Sequence, residues 1–158
     1  MDDLAALEAA IYDQSFRALD EQARVLDSLR ARAGALVAGA SVATALLGGL
    51  AGTTQTGRRD ALTWIAIAFF VAAVLLSLLV TIPRVSWASS HHPHRLLAAY
   101  LEPEPPVSLA TYHRTIAYYN GAHFDANARQ LHWLFRAIAV ASVCLALELV
   151  VWLWILAR

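Results

Sequence analysis

Hydrophobic positions follow two different patterns along this chain. Near the N-terminus they recur every three or four residues from Leu4 to Leu29, which is the spacing of one face of an amphipathic helix. Further on they form three continuous apolar blocks, residues 33–51, 61–82 and 134–156. The last two blocks are long enough for a bilayer core, which takes about 20 apolar residues. The pattern predicts an all-α integral membrane protein with three transmembrane helices.

One helical face connects the amphipathic segment to the first apolar block. Steps of three and four residues place alternating charges on this face from Asp13 to Asp27, and only small residues after that. The small residues, which we call the small-residue seam, are Gly34, Ala38, Ser41, Ala45, Gly48 and Gly52. In lipid, such residues let helix backbones approach closely. We therefore expect Ser41 or Ala45 to pack near the third span, either within the chain or across a subunit boundary.

The apolar blocks and the prolines divide the chain into five segments. Ser108 is the predicted N-cap of a second long helix, and Gly121 is the expected position of a break or kink in that helix. Pro83 is predicted to end the second span. The segments are a cytosolic amphipathic helix (1–30), transmembrane helix 1 (31–52), transmembrane helix 2 (61–82), a cytosolic helical segment (84–132) and transmembrane helix 3 (133–157). Two of the transmembrane helices are thus expected to extend into the cytoplasm as long helices.

The arginines predict how the chain is oriented in the membrane. Eight of them lie before span one or between spans two and three, and only Arg58, Arg59 and Arg158 lie on the opposite side. The positive-inside rule then places the N-terminus in the cytoplasm of a bacterial inner membrane and the C-terminus outside. The apolar blocks make the lipid bilayer an expected partner. The formal net charge is zero, so nucleic acid is not expected as a partner.

Glu148 is the most informative single residue, because it lies near the middle of the third apolar block. An acid there costs about 2.5 to 3.5 kcal/mol on insertion scales, so it should face protein or water rather than lipid. One interpretation is an ion or proton path, or a pore-lining ring in an oligomer. The other is a protonated carboxyl that is hydrogen-bonded to Ser41 or Thr44 and holds helices together. The sequence leaves both open.

The remaining polar residues do not predict an enzyme. His91, His92 and His94 flank a proline without a defined coordination geometry, so neither a metal nor another cofactor is expected. We define the polar stripe as the residues His113, Ile116, Asn120, His123, Asn127 and Gln130. The expected role of the polar stripe is a solvated face, and the alternatives are a small-ligand site or a pairing surface in a coiled assembly.

Two stretches give the chain a family resemblance. The first lies within residues 26–34 and the second is residues 125–131; the matching residues of the first are Leu26, Asp27, Leu29, Arg30, Arg32, Ala33 and Gly34. With this layout the chain resembles small bacterial membrane proteins of the SLATT and Pycsar transmembrane-effector type, including uncharacterised actinobacterial three-span proteins. The resemblance implies a pore-forming or membrane-perturbing effector in a bacterial defence or conflict system.

Two functions follow as expectations. The first is an oligomeric pore or membrane-perturbing effector, a homo-oligomer that assembles through the small-residue seam. The alternative is a non-conducting membrane scaffold or accessory subunit that docks a soluble or membrane protein partner through its cytosolic helices.

Overall fold

The fold is all-helical in the part of the chain that the computed structural model describes, which is residues 2–54, 61–82, 93–102, 105 and 107–157. The helices are α1 (Asp2–Thr54), α2 (Ala61–Thr81), α3 (Pro93–Tyr100) and α4 (Leu109–Leu156). Three of them, α1, α2 and α4, are long and apolar enough to cross a membrane. The predicted all-α fold with three transmembrane helices is confirmed, and the protein is a membrane protein. Pro83, Arg58, Arg59 and Arg158 lie outside the described residues.

Two of the helices are much longer than a membrane span. Helix α1 has 53 residues and α4 has 48. Helix α4 continues through Gly121, so of the two predicted alternatives the break is wrong. An isolated helical glycine costs only about 1 kcal/mol relative to alanine. The buried neighbours Ile116 and Asn120 provide packing on one side of Gly121, and Asn127 provides it on the other.

The start of α4 is set by a capping side chain. The backbone N–H of Thr111 donates to Ser108 Oγ at 3.2 Å, which confirms Ser108 as the N-cap. The end of α3 is closed by the N–H groups of Leu101 and Glu102, which both donate to the carbonyl of Leu97. These bonds satisfy backbone groups that the helix ends would otherwise leave unpaired.

The chain divides into two compact units. The polar unit consists of Met1–Leu26 and Arg84–Leu131, and the membrane unit consists of Asp27–Pro83 and His132–Arg158. The three apolar blocks lie in the membrane unit.

Helices α1 and α4 run parallel within each unit. In the polar unit, Tyr12 lies beside Tyr112 and Gln22 beside Phe124. In the membrane unit, Thr44 lies beside Glu148 and Gly48 beside Trp152. Residue numbers therefore increase in the same direction on both helices, as they must when the first and third spans of a three-span protein cross the bilayer in the same direction.

The buried face of α1 is not the small-residue seam but the neighbouring face, whose residues each come one position earlier in the sequence. In the membrane unit, Ala33, Ala40 and Ala51 are buried, whereas Ser41 and Ala45 are exposed. One residue turns a helix by about 100°, so the two faces are neighbours with the same spacing. The membrane unit is packed mostly with small side chains, and these are Ala33, Ala40, Ala51, Ala66, Ala73, Ala137 and Ala141.

Candidate functional site

Glu148 is enclosed by the helices of the membrane unit. Its exposed fraction is 0%, so it faces neither lipid nor an open surface of the chain. Thr44 Oγ1 on α1 donates a hydrogen bond to Glu148 Oε1. The other carboxyl oxygen, Oε2, has no hydrogen-bond partner among the residues that the structure describes. The carboxyl is therefore used inside the chain as a link between α1 and α4.

Small residues make room for this arrangement. Ala137 and Ala141 lie on the same face of α4 as Glu148, and both are buried. One turn after Glu148, the indole of Trp152 lies 3.4 Å from where a Cβ on Gly48 would be. Gly48 thus lets the Trp152 ring pack directly on the backbone of α1. A larger side chain at this position would have to displace the ring.

The residues of the small-residue seam have different environments. Gly48 contacts Trp152, as described above, and Gly52 lies near the end of α1. Ser41 is exposed, and its hydroxyl donates to the carbonyl of Val37 on its own helix at 2.8 Å. Of the two hydroxyls expected near Glu148, the structure brings only that of Thr44 to the carboxyl. Gly34, Ala38, Ser41 and Ala45 form an exposed strip of small residues on α1.

The expectation that the polar stripe of α4 is a solvated face is wrong. Asn120 and Asn127 are each only 1% exposed, and Ile116, one turn before Asn120, is also buried. Asn120 Nδ2 donates to Ser15 Oγ on α1 at 2.8 Å, and Ser15 Oγ itself donates to the carbonyl of Tyr12. The stripe therefore faces α1 inside the polar unit, because the packing of two parallel helices needs a buried face on both of them.

Two polar residues of α1 that sequence reasoning missed are buried opposite this stripe. Glu8 accepts a hydrogen bond from the guanidinium of Arg114, and Gln22 donates to the carbonyl of Phe124 at 3.0 Å. A signal was present in their spacing, because Glu8, Ser15 and Gln22 are seven residues apart. Polar residues at a repeated heptad position are typical of helix pairs whose register is specified by polar core layers.

An aromatic cluster joins three helices of the polar unit. The ring of Tyr12 lies 4.7 Å from that of His113 and 5.8 Å from that of Tyr112. Tyr100 of α3 packs edge-on against Tyr112 at 5.0 Å. The hydrogen bond with Tyr112, together with burial and nearby charges, raises the pKa of Tyr12 to about 12. A phenol with the ordinary pKa of about 10 is already neutral at physiological pH, so the effect of the cluster is to move the ionisation of Tyr12 to a higher pH.

The histidines of α4 and Arg136 differ in exposure. Arg136 and His132 of α4 are exposed, whereas His113 and His123 are half-buried. Within the described ranges, no three His, Cys, Asp or Glu side chains lie close enough together to hold a metal ion. His91 and His92 lie outside the described residues.

No protein-family model matches this chain, and no curated protein or solved structure is significantly similar to it. The resemblance to membrane effectors therefore stays a prediction, and any functional proposal depends on the geometry of the two units.

Proposed function

We propose that this protein is a self-associating membrane scaffold that does not conduct ions and that carries a protein partner on its polar unit. The observation that carries this proposal is the way in which α1 packs in the membrane unit. One face of α1 packs against the rest of the chain, and the adjacent small-residue face, with Ser41 and Ala45, is exposed.

Self-association is supported by the composition of that exposed face. A face of Gly, Ala and Ser offers lipid little side-chain surface, but it allows a second helix backbone to come close. A Cβ added at Gly34 or Gly39 would meet no atom of the chain within 4 Å, so packing within the chain does not require either glycine. A second copy of the chain is the partner that is always available to such a face, and a homo-oligomer follows.

The absence of conduction is supported by the position of Glu148. A pore-lining acid needs to face a lumen, whereas Glu148 is enclosed and accepts a hydrogen bond from Thr44 of the same chain. The carboxyl has the role of a contact between helices. Its removal should weaken the fold of the subunit rather than change a conduction pathway.

The second candidate is the pore-forming or membrane-perturbing effector that the family resemblance implies. One observation favours it, because the exposed strip of α1 carries the hydroxyl of Ser41 among otherwise apolar residues. A ring of such helices would line a narrow pore with small side chains and hydroxyls. This candidate needs the seam to face a lumen, whereas the scaffold needs it to face a neighbouring helix.

For the orientation, we propose a cytoplasmic N-terminus and an external C-terminus in a bacterial inner membrane. The proposal is supported by the arginine distribution and the positive-inside rule. On this orientation the polar unit lies in the cytoplasm, where a soluble partner is accessible.

The deciding experiment measures oligomeric state and leakage on the same preparations. The protein is reconstituted into nanodiscs for mass measurement and into dye-loaded liposomes for leakage. Ala45→Leu should dissociate the oligomer, whereas Val42→Leu should not, since Val42 is an exposed apolar residue of the same span outside the seam. The wild-type protein should release no dye.

Three results would contradict the proposal. A monomer in nanodiscs would rule out self-association. If Ala45→Leu and Val42→Leu had the same oligomeric state, the seam would be ruled out as the interface. Dye release by the wild-type protein that Ser41→Ala alters would establish the pore instead.

A further inference from the structure

A groove runs along one side of the α1–α4 pair in the polar unit. Its volume is about 700 Å³, which lies within the usual range of binding sites, and its lining is mostly apolar. Leu4, Leu7 and Ile11 form the α1 wall, and each of these side chains is more than half exposed. Their spacing of three and four residues makes a continuous apolar strip that no other residue described by the structure covers.

The α4 wall of the groove consists mainly of small side chains. It is formed by Ala117, Gly121 and Ala122, with Tyr118 beside them at 82% exposure. A Cβ added at Gly121 would meet nothing within 4 Å, so packing inside the chain does not explain a glycine at this helical position. Small residues on a helix surface let a second helix lie close, at the short end of the usual 8–10 Å between axes. The two walls together form a groove that a third helix can occupy.

The charges of the groove favour a basic occupant. Glu8 is buried at the groove, and one carboxyl oxygen pairs with Arg114 while the other, Oε2, has no partner among the described residues. Asp125 is an exposed carboxylate of the α4 wall. Asp3, next to Leu4 of the α1 wall, is a second exposed carboxylate. Glu8 Oε2 is itself enclosed and its partner Arg114 is largely exposed. The acidic charge that the groove presents is therefore that of Asp3 and Asp125, beside an apolar floor.

We infer that this groove binds a basic amphipathic helix of a partner protein. Leucine-like anchors at i, i+3, i+4 and i+7 would cover the strip of Leu4, Leu7 and Ile11, as in other helix-in-groove complexes. Lysine or arginine side chains of the partner would pair with the exposed carboxylates of Asp125 and Asp3. This inference rests on the proposed scaffold function and specifies the surface and the chemistry of the docked partner.

The probe for this inference is a fluorescent helical peptide of about four turns, with leucine on one face and lysine on the others. Its binding to the full-length protein in nanodiscs of phosphatidylcholine is followed by fluorescence anisotropy. Empty nanodiscs measure binding to lipid alone. A peptide with glutamate in place of lysine, and a scrambled lysine peptide without an apolar face, test the charge and the amphipathic pattern.

Matched variants of the protein locate the site. Leu7→Lys and Asp125→Arg should each weaken binding of the lysine peptide about tenfold, because each removes an anchor and adds a repulsive charge. The controls are Leu97→Lys on α3 and Asp13→Arg on α1, which change exposed residues of the same types outside the groove and should bind like wild type. Gly121→Leu should block the groove, since the chain has room for the new side chain.

Other outcomes would overturn the inference. Equal binding to empty nanodiscs would mean that the peptide binds lipid, and equal binding by all variants would place the peptide elsewhere. If the lysine peptide does not bind and Leu7→Lys dissociates the oligomer, a second copy of the chain fills the groove. If the wild-type protein forms an oligomer that does not leak but does not bind the lysine peptide, only this inference is overturned. Self-association and the absence of conduction are then still supported.

Discussion

The polar unit and the membrane unit are built on the same two parallel helices, but their interfaces use opposite kinds of side chain. In the polar unit, α1 and α4 are joined by Glu8 with Arg114 and by Ser15 with Asn120. In the membrane unit they are joined by alanines, with the hydrogen bond of Thr44 to Glu148 inserted among them.

The difference follows from the solvent that each unit is expected to have. In water, apolar burial is the main source of stability, and polar core residues specify register at a cost in stability. The polar unit buries Glu8, Gln22 and two asparagines while Leu4 and Leu7 stay exposed. In lipid, apolar side chains gain little from leaving the solvent, so close contact between small residues holds helices together. The polar unit thus has apolar surface left over for a partner, and the membrane unit depends on tight fit.

The largest effect is expected from a change that spoils this tight fit. Ala141 is fully buried in the membrane unit, so Ala141→Leu should destabilise the helix bundle by about 2 kcal/mol through overpacking. Val143→Leu, at an exposed position two residues further on, should have almost no effect. Unfolding in increasing dodecyl sulfate, followed by circular dichroism, measures both. Equal stability of the two variants would show that close packing does not hold the membrane unit.

A smaller effect is expected from the hydrogen bond between Thr44 and Glu148. A double-mutant cycle of Thr44→Val and Glu148→Leu, each of which removes the bond, should give a coupling energy of about 1 kcal/mol, which is within the range for hydrogen bonds between membrane helices. Ser41→Ala in place of Thr44→Val should show no coupling with Glu148→Leu, because Ser41 bonds to its own helix. Coupling to Ser41 instead would place the carboxyl differently in the assembled protein.

The smallest effect concerns Tyr12 in the polar unit. Its pKa is raised from 10.0 to about 12, so folding favours the neutral phenol. The stabilisation is fully present below pH 10 and is lost as the pH rises to about 12, since only the unfolded chain ionises this phenol in that window. In an ultraviolet titration of the phenolates, Tyr12→Phe should remove the step at the highest pH. Its persistence in this variant would assign the step to another of the five tyrosines.

Much of the helical architecture could be predicted from the sequence. The three apolar blocks, the extension of α1 beyond the membrane and the N-cap at Ser108 are all local properties of the chain, since they depend on hydropathy, on the lack of Gly or Pro before Gly34 and on one capping hydroxyl. Glu148 was also singled out correctly as a residue that must avoid lipid, because the cost of a carboxyl in an apolar span does not depend on its neighbours.

The tertiary structure alone decided which helix faces meet. Along α1, the seam of Ser41 and Ala45 and the line of Ala40 and Thr44 have the same spacing and similar side chains. Only contact with α4, through Thr44, distinguishes the second line from the first. For the same reason Asn120 and Asn127 looked like a solvated face until α1 was packed against them. Periodicity specifies that a helix has a face, but the choice of face depends on the shape and polarity of a partner that lies about a hundred residues away in the sequence.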